Sequence, residues 1–180
     1  MKLFFGLGNP GKTYQNNRHN LGQNIINKYV ETHYNASLTT KKQLDVEILE
    51  VGQGNHKIIF AISNDYMNNS GIAVQKTANF YKISPENIYI IHDDLDLPVG
   101  EYRFQFDRGP AGHNGIKSVI EQLGTQAFNR IRVGIDHPRH TPTPQMAIEK
   151  YVLLPFNTQE KVIINQTIDK IIEEIEKLGH

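Results

Sequence analysis

The chain has 180 residues, no cysteine and a formal net charge of zero, with 38% hydrophobic and 21% charged residues. This length and composition predict one soluble globular domain over residues 1–180. The lack of cysteine excludes disulfides, a thiolate nucleophile and thiolate metal sites, and the zero net charge argues against indiscriminate nucleic-acid binding. No apolar run approaches the ~18 residues of a membrane span, and the N-terminus is a poor signal peptide. We therefore expect a cytoplasmic protein.

Strand and helix patterns alternate along the whole chain. Strands are predicted over residues 2–7, 45–51, 58–62, 88–91, 102–106 and 130–135, and the second and third of these are expected to form an antiparallel hairpin. Helices are predicted over residues 21–30, 70–81, 114–123 and 164–178. In the second helix, the side chains expected to face inward are Ile72, Ala73, Ala78 and Tyr81. The pattern predicts an α/β fold in one domain, with a mixed, mostly parallel twisted sheet flanked by helices.

A glycine-rich turn, Gly6-Leu7-Gly8-Asn9-Pro10-Gly11, follows the first predicted strand and matches the pattern G-x-G-x-x-G. In a dinucleotide-binding turn, a helix starts at once and directs its N-terminal amides at the pyrophosphate. Here Pro10-Gly11 interrupts the chain, a polar loop follows, and the helical pattern begins only at Leu21. The acidic residue that closes the second strand of that motif is also missing. We interpret the turn as part of a hydrolytic or binding site rather than an NAD site.

His19 lies in the polar loop after this turn. An imidazole is a candidate general base because its pKa lies near working pH, and a purely structural histidine is the alternative. The acidic run His92-Asp93-Asp94-Leu95-Asp96 closes the buried strand 88–91. Asp93 should emerge at the same sheet edge as Asn9, where a carboxylate would orient an imidazole. The alternative is that these aspartates only cap a turn.

Two other kinds of chemistry have little support in the sequence. His92 with Asp93 or Asp94 could supply metal ligands, but neither an H-E-x-x-H pattern nor a second spaced ligand set is present. A G-x-S-x-G elbow is also absent, and Ser70 is interpreted as a helix N-cap. We therefore expect no metal and no cofactor, with water as the nucleophile if the chain is a hydrolase.

Three asparagines lie in predicted turns between elements, namely Asn9, Asn68 and Asn114. Asparagine is common in turns for backbone reasons, so each of them alone could be structural. Together they offer donors and acceptors that suit a peptide backbone, and an amide donor could stabilise a developing oxyanion. Residues 109–115 add a glycine-rich turn before a helix whose N-terminus could receive an anion.

Charge is segregated along the chain. Residues 86–101 hold five acidic residues and no Lys or Arg, whereas residues 103–139 hold six basic and three acidic residues. A local basic patch of this kind can bind a phosphate group while the whole chain stays neutral. Scattered solvated charges are the alternative.

Several segments, in this order, resemble bacterial peptidyl-tRNA hydrolases over residues 2 to about 155. The matching segments are Gly6-Leu7-Gly8-Asn9-Pro10-Gly11, Tyr14, Arg18-His19-Asn20, Tyr66-Met67-Asn68-Asn69-Ser70-Gly71, His92-Asp93-Asp94-Leu95-Asp96-Leu97-Pro98-Val99-Gly100, Gly112-His113-Asn114-Gly115 and Arg132-Val133-Gly134-Ile135. The resemblance implies cleavage of the ester that joins a peptide to the 3′-terminal ribose of tRNA. Such cleavage recycles tRNA from aborted translation.

The resemblance also implies a role for each matching residue. His19 would activate water and Asp93 would support it. The amides of Asn9, Asn68 and Asn114 would hold the peptidyl chain and the ester, with Asn9 helping to select N-blocked substrates. The remaining substrate contacts would be Tyr14 and Tyr66 in the channel for the tRNA end and the peptide, His113 beside Asn114, and Arg103 and Arg132 on tRNA phosphate. Peptidyl-tRNA is the expected partner, no membrane contact is implied, and a monomer is the default.

Two positions depart from the family pattern. Gln105 stands where a Lys is often found, so one charge of the phosphate grip is missing. Pro110 stiffens the loop before His113, where a run of glycines with Ser is usual. The competing hypothesis is a non-catalytic RNA-binding protein on the same scaffold. The presence of His19, Asp93 and the three asparagines argues against it.

Overall fold

The computed structural model describes residues 1–179, in which seven strands form one sheet. The strands are β1 (Lys2–Gly6), β2 (Thr39–Lys41), β3 (Val46–Val51), β4 (Ile58–Ser63), β5 (Ile88–Asp94), β6 (Tyr102–Phe106) and β7 (Asn129–Gly134). The helices are α1 (Leu21–Tyr34), α2 (Ser70–Tyr81), α3 (Asn114–Leu123), α4 (Ile148–Tyr151) and α5 (Thr158–Gly179). Short 3₁₀ turns connect several of them, including Arg18–Asn20 before α1 and Met67–Asn69 before α2.

The strand order is β2-β3-β4-β1-β5-β7-β6. The four central strands β4, β1, β5 and β7 run parallel, and the outer strands pair antiparallel. This confirms the predicted mixed, mostly parallel sheet in an α/β fold, and β3 with β4 forms the predicted hairpin. Because the central strands are parallel, their carboxyl ends meet at one edge, where α/β proteins place their sites.

Both faces of the sheet are covered, as the alternation of side chains in β1 illustrates. Phe4 joins a core with the apolar faces of α1 and α5, whereas Leu3 and Phe5 join a second core with α2 and α3. Burial on both faces explains why the central strands are nearly continuous apolar runs in the sequence. Among the described residues, no helix is both long and apolar enough to cross a lipid bilayer.

Some sequence predictions about the second helix were wrong. Ser70 is the first residue of α2 rather than its N-cap, which is Asn69, and its buried hydroxyl has no hydrogen-bond partner within residues 1–179. Ile72 is 39% exposed, because the neighbouring Ala73 and Val74 form the face of α2 that contacts the core. The short elements β2 and α4 were not predicted, because three or four residues carry no readable periodicity.

Candidate active site

The parallel pairing of β1 with β5 brings the acidic run beside the glycine-rich turn. Gly6, the last residue of β1, lies opposite Ile91 in the register. The chain that leaves β1 therefore passes the end of β5. Asp93, the second-to-last residue of β5, is buried there. Asp93 and the Asn9 turn share one sheet edge, as predicted. The strand reaches Asp94 rather than ending at residue 91.

A glycine-to-glycine contact sets the position of the loop that carries His19. A Cβ at Gly22, in the first turn of α1, would lie 2.2 Å from the carbonyl oxygen of Ile91, and one at Gly6 would lie 2.3 Å from the carbonyl oxygen of Gly22. Only glycine permits this approach of helix to sheet, because any side chain would clash with backbone. The start of α1 is thus pressed onto β1 and β5, and His19 is carried to the end of β5. Sequence reasoning missed Gly22.

His19 and Asp93 form a close hydrogen-bonded pair. The Nδ1 atom of His19 lies 3.0 Å and 2.9 Å from the two carboxylate oxygens of Asp93, and the two side chains are 13% and 2% exposed. A carboxylate only accepts, so Nδ1 carries the proton. The second ring nitrogen, Nε2, has no hydrogen bond to the part of the chain that the structure describes. It is therefore the nitrogen left to act as a base.

Electrostatics at this pair favour a charged imidazole. Burial lowers the pKa of His19, but the charge of Asp93 and the hydrogen bond to it outweigh this effect, and the net pKa lies above its ordinary value of 6.5. For Asp93, burial raises the pKa, and the opposing effects of His19 and His113 hold it well below the usual range. Asp93 therefore stays ionised and stabilises the imidazolium that forms when His19 takes a proton.

His113 is a second imidazole on the same carboxylate. Its Nε2 atom donates to Oδ1 of Asp93 at 3.0 Å, and its Nδ1 atom accepts from the backbone N–H of Ile116 at 3.3 Å. These two bonds require a proton on Nε2 and none on Nδ1, so the ring of His113 is a neutral imidazole. The ring centroid lies 4.9 Å from that of His19. No sequence pattern indicated this bond to Asp93. His113 also occupies one N–H at the N-terminus of α3, where an anion site was predicted.

A third histidine, His92, lies behind this pair. Its Nδ1 atom donates to the backbone oxygen of Asp93 at 2.7 Å, and burial together with His113 lowers its pKa to about 3. His92 is therefore neutral.

Three side chains of the site also form a possible metal-binding set. One ring nitrogen of His19, one of His113 and a carboxylate oxygen of Asp93 lie within 4.8 Å of one another, a donor set of the kind that binds metals. Each nitrogen–oxygen pair, however, is at hydrogen-bond distance, so this geometry is that of shared protons.

The pair opens into a pocket of about 250 Å³. It is lined by Asp93, Asp94 and Leu95 at the end of β5 and by the loop from Pro110 to the start of α3. Ile148, Glu149 and Val152, in α4 and just beyond it, complete the lining. A cavity of this size between loops at a sheet edge suits a small part of a larger substrate.

The predicted amides occupy different environments around this pocket. Asn9 is buried, and its side-chain oxygen accepts from the backbone N–H of Met67 at 2.8 Å. The side chain of Asn20 bonds both the N–H and the carbonyl of Asn9, at 3.0 Å and 2.8 Å. Asn20 thus holds the Asn9 turn and was missed as a positioning group, although it stands in the Arg18-His19-Asn20 segment.

Asn68 and Asn114 are exposed on adjoining elements. Asn114 is the first residue of α3, rather than part of a turn, and lines the pocket with His19. Asn68 lies on the 3₁₀ turn Met67–Asn69, which packs against α3. The rings of Tyr14 and Tyr66 meet edge to face with centroids 6.2 Å apart, and Tyr66 is 56% exposed. The two tyrosine rings are therefore in contact, which is compatible with the prediction that both line one channel.

The two predicted phosphate contacts differ sharply, although they lie opposite each other on β6 and β7. The side chain of Arg103 is 61% exposed, because β6 is an edge strand. The side chain of Arg132 is only 4% exposed; its Nε donates to Asp94 at 2.7 Å and its Nη1 donates to Gln105 at 2.9 Å. The guanidinium of Arg132 is therefore already bonded to other side chains within the protein.

A histidine–carboxylate pair in an open pocket of an α/β fold is typical of a hydrolase that activates water. The peptidyl-tRNA hydrolase family model matches residues 3–180. A peptidyl-tRNA hydrolase of Rickettsia canadensis is 42% identical over 171 residues, covering 95% of this chain and 89% of the relative. One of Francisella tularensis subsp. tularensis is 39% identical over 169 residues, covering 94% and 86%. The chain belongs to the peptidyl-tRNA hydrolase family.

Solved structures agree with this assignment. The crystal structure of peptidyl-tRNA hydrolase from Acinetobacter baumannii superposes with a TM-score of 0.89 at 28% identity, covering 99% of this chain and 88% of that one. A complex of peptidyl-tRNA hydrolase with N-propanol also gives a TM-score of 0.89, at 29% identity and the same coverage. Fold and sequence therefore lead to one family.

Proposed function

We propose that this member of the family hydrolyses peptidyl-tRNA with water as the nucleophile and His19 as the general base. The observation that carries the proposal is the pairing of Nδ1 of His19 with Asp93, which leaves Nε2 as the basic nitrogen of a residue that lines the pocket. Asp93 orients the ring and stabilises its protonated form. A raised pKa makes His19 the stronger base, at the cost of a smaller neutral fraction at neutral pH.

The reaction is balanced with the groups present. Nε2 of His19 takes a proton from water while the water oxygen attacks the ester carbonyl carbon. The carbon–oxygen bond to the ribose then breaks, and the proton passes from the imidazolium to the ribose oxygen. The products are a peptide carboxylic acid, which releases its remaining proton to solvent and becomes a carboxylate, and a tRNA with a free hydroxyl on its terminal ribose. His19 returns to its neutral form.

The amides place the substrate in this proposal. Asn114 lies in the pocket with His19, so its side chain is the amide best placed for the ester or the nearest peptide group. Asn68, on the adjoining turn, binds further along the peptide. The oxygen of Asn9 is engaged by Met67, which leaves its NH₂ group as the donor that helps to select N-blocked substrates. Tyr14 and Tyr66 line the channel, and His113 contacts the substrate from the pocket wall.

Arg103 is the better candidate for the tRNA phosphate contact, because its guanidinium is exposed. The burial of Arg132 and its bonds to Asp94 and Gln105 favour a structural role for that residue. The exposed Lys117 on α3 is a further candidate, with a side chain that is 67% exposed. A monomeric state and a cytoplasmic location stay predictions.

Release of tRNA from an N-acetylated aminoacyl-tRNA is the direct test, with unblocked aminoacyl-tRNA as the matched control substrate. We expect multiple turnovers on the blocked substrate and little release from the free-amine form. Tight binding of both RNAs without release would instead support the non-catalytic RNA-binding hypothesis. No observation on the site favours that alternative, since the base and its carboxylate are assembled.

A further inference from the structure

The loop that carries His19 is paired with the chain that follows α4. The backbone N–H of Arg18 donates to Leu154 at 3.0 Å, and that of His19 donates to Val152 at 2.9 Å. Asn17 and Pro155 form an antiparallel bridge one step further. Because Val152 also lines the pocket, this pairing joins the proposed base to a second residue of the pocket wall.

The side chain of Arg18 reinforces the pairing. Its Nη2 atom donates to both carboxylate oxygens of Glu160, at 2.8 Å and 2.7 Å, and Nη1 donates to the carbonyl of Pro155. The guanidinium lies 4.5 Å from the ring centroid of Tyr151 and 4.8 Å from that of Phe156. The side chains of Arg18 and Glu160 are 6% and 17% exposed. Such a bidentate, partly desolvated pair constrains orientation more than an exposed ion pair does.

Glu160 is itself held in place by the start of α5. Its Oε2 atom accepts from the N–H of Asn157 at 2.8 Å, and the side-chain oxygen of Asn157 accepts from the N–H of Glu160 at 2.9 Å. This reciprocal arrangement is a capping box. The apolar face of α5 is buried in the core with α1. The carboxylate that Arg18 binds is therefore anchored to a long, packed helix.

We propose that Arg18 and Glu160 are a positioning pair for the reaction. The pair keeps His19 in a fixed position relative to Val152, which lines the same pocket. The inference rests on the proposed role of His19 as base. Arg18 is not a pocket-lining residue, so it acts through its neighbour and not on the substrate. The ring of His19 is oriented by Asp93 at Nδ1, and its backbone by the pairing that Arg18 stabilises. Loss of the pair weakens the second of these constraints.

Two conservative variants test the pair. Arg18→Lys keeps the charge but loses the planar fork, and Glu160→Gln keeps an acceptor for the helix cap but loses the charge. We expect each to lower kcat on N-acetylated aminoacyl-tRNA by ~10-fold, since small misplacement of a catalytic group is costly. KM should stay within about twofold, because no substrate contact is removed. The double variant should be no slower than the slower single variant, since the two residues act as one unit.

The matched control is Asp169→Asn. Asp169 forms an ion pair with Lys28 that also joins α5 to α1, but its side chain is 61% exposed and the pair lies away from the pocket lining. We expect wild-type kcat for this variant. Folding is followed by circular dichroism, and kcat is calculated per folded molecule below the melting transition. If Arg18→Lys does not fold, Glu160→Gln carries the test alone.

The outcomes separate this inference from the proposed function. Wild-type kcat per folded molecule in Arg18→Lys and Glu160→Gln, with His19→Ala inactive, would overturn the positioning pair and leave the base intact. An active His19→Ala variant would instead overturn the base assignment and the inference that rests on it. A fall in kcat that Asp169→Asn reproduces would assign the effect to general helix packing and also overturn the pair.

Discussion

Charged side chains differ in burial between two regions of the molecule. One region is the pocket at the carboxyl ends of β1 and β5, and the other is the pair of arginines on β6 and β7. In the pocket, Asp93 is 1% exposed and accepts hydrogen bonds from two imidazoles. On the edge strand, the side chain of Arg103 is 61% exposed. Arg132 lies directly opposite Arg103 in the strand register, yet it is buried and bonded to Asp94.

This contrast shows that strand position, and not residue type, determines which of the two arginine side chains is exposed and which is buried. Arg103 and Arg132 share one face of the sheet, but β6 has a neighbour on one side only and β7 is flanked by β5 and β6. A guanidinium on the edge strand can reach a phosphate of a large RNA. On the inner strand, Arg132 is buried and its charge is compensated by the Asp94 carboxylate, since an unpaired buried charge is costly.

The largest effect is expected for His19→Ala. Removal of a general base should lower kcat by 10²–10⁴-fold, whereas the fold should persist because the buried Asp93 keeps its hydrogen bond from His113. Single-turnover release of tRNA from N-acetylated aminoacyl-tRNA measures the loss. His56→Ala, at an exposed histidine in the turn before β4, is the matched control. Near-wild-type turnover in His19→Ala would refute the assignment.

Arg132→Gln should mainly affect stability. The change leaves the buried Asp94 carboxylate without its cation, and we expect the free energy of unfolding to fall by about 3 kcal/mol. Arg103→Gln is the matched control, and a surface change of this kind should stay within about 0.5 kcal/mol. Urea denaturation compares the two. Equal stability of both variants would contradict the structural role of Arg132 and return it to the phosphate contacts.

Asp93→Asn should slow turnover and move the pH profile. The acid limb of kcat/KM reports the pKa of the free base, which the charge of Asp93 raises above 6.5 in the wild type. Without that charge the lowering effect of burial remains, so the limb should move to lower pH. We expect kcat on the plateau to fall ~10-fold or more, because the base becomes weaker and the imidazolium loses its carboxylate. Asp96→Asn, at an exposed aspartate, is the control, and an unmoved limb would show that Asp93 does not support the base.

The smallest effect is expected for Arg103→Glu. Loss of one phosphate contact should raise KM for full-length peptidyl-tRNA several-fold. The slope of log KM against log salt concentration should fall by about one, the change expected for one lost contact. Hydrolysis of a minimal peptidyl-nucleoside ester should be unchanged, because that substrate lacks the phosphate. Lys76→Glu, an exposed charge reversal on α2, is the control. Parallel loss of activity on both substrates would move the phosphate contact elsewhere, with Lys117 the next candidate.

Much of the architecture was predictable because local patterns agree with the fold. The apolar run at residues 88–91 predicted a central strand, and the parallel pairing of β5 with β1 then places Asp93 beside the Asn9 turn. The details of the site were not predictable in the same way. The contact of Gly22 with Ile91 depends on how closely a helix approaches two strands, and a single glycine in a helical pattern carries no signal for that distance.

The sequence by itself determined the order of the longer strands and helices along the chain, the presence of an imidazole and carboxylates near strand ends, and the resemblance to one family. Tertiary structure alone decided which nitrogen of His19 is free, because its partner Asp93 is 74 residues away. It also decided that Arg18 pairs with Glu160 across 142 residues, and that Arg132 is buried whereas Arg103 is not. Alternation along a strand shows which side chains share a face, but only the packed fold determines what covers that face.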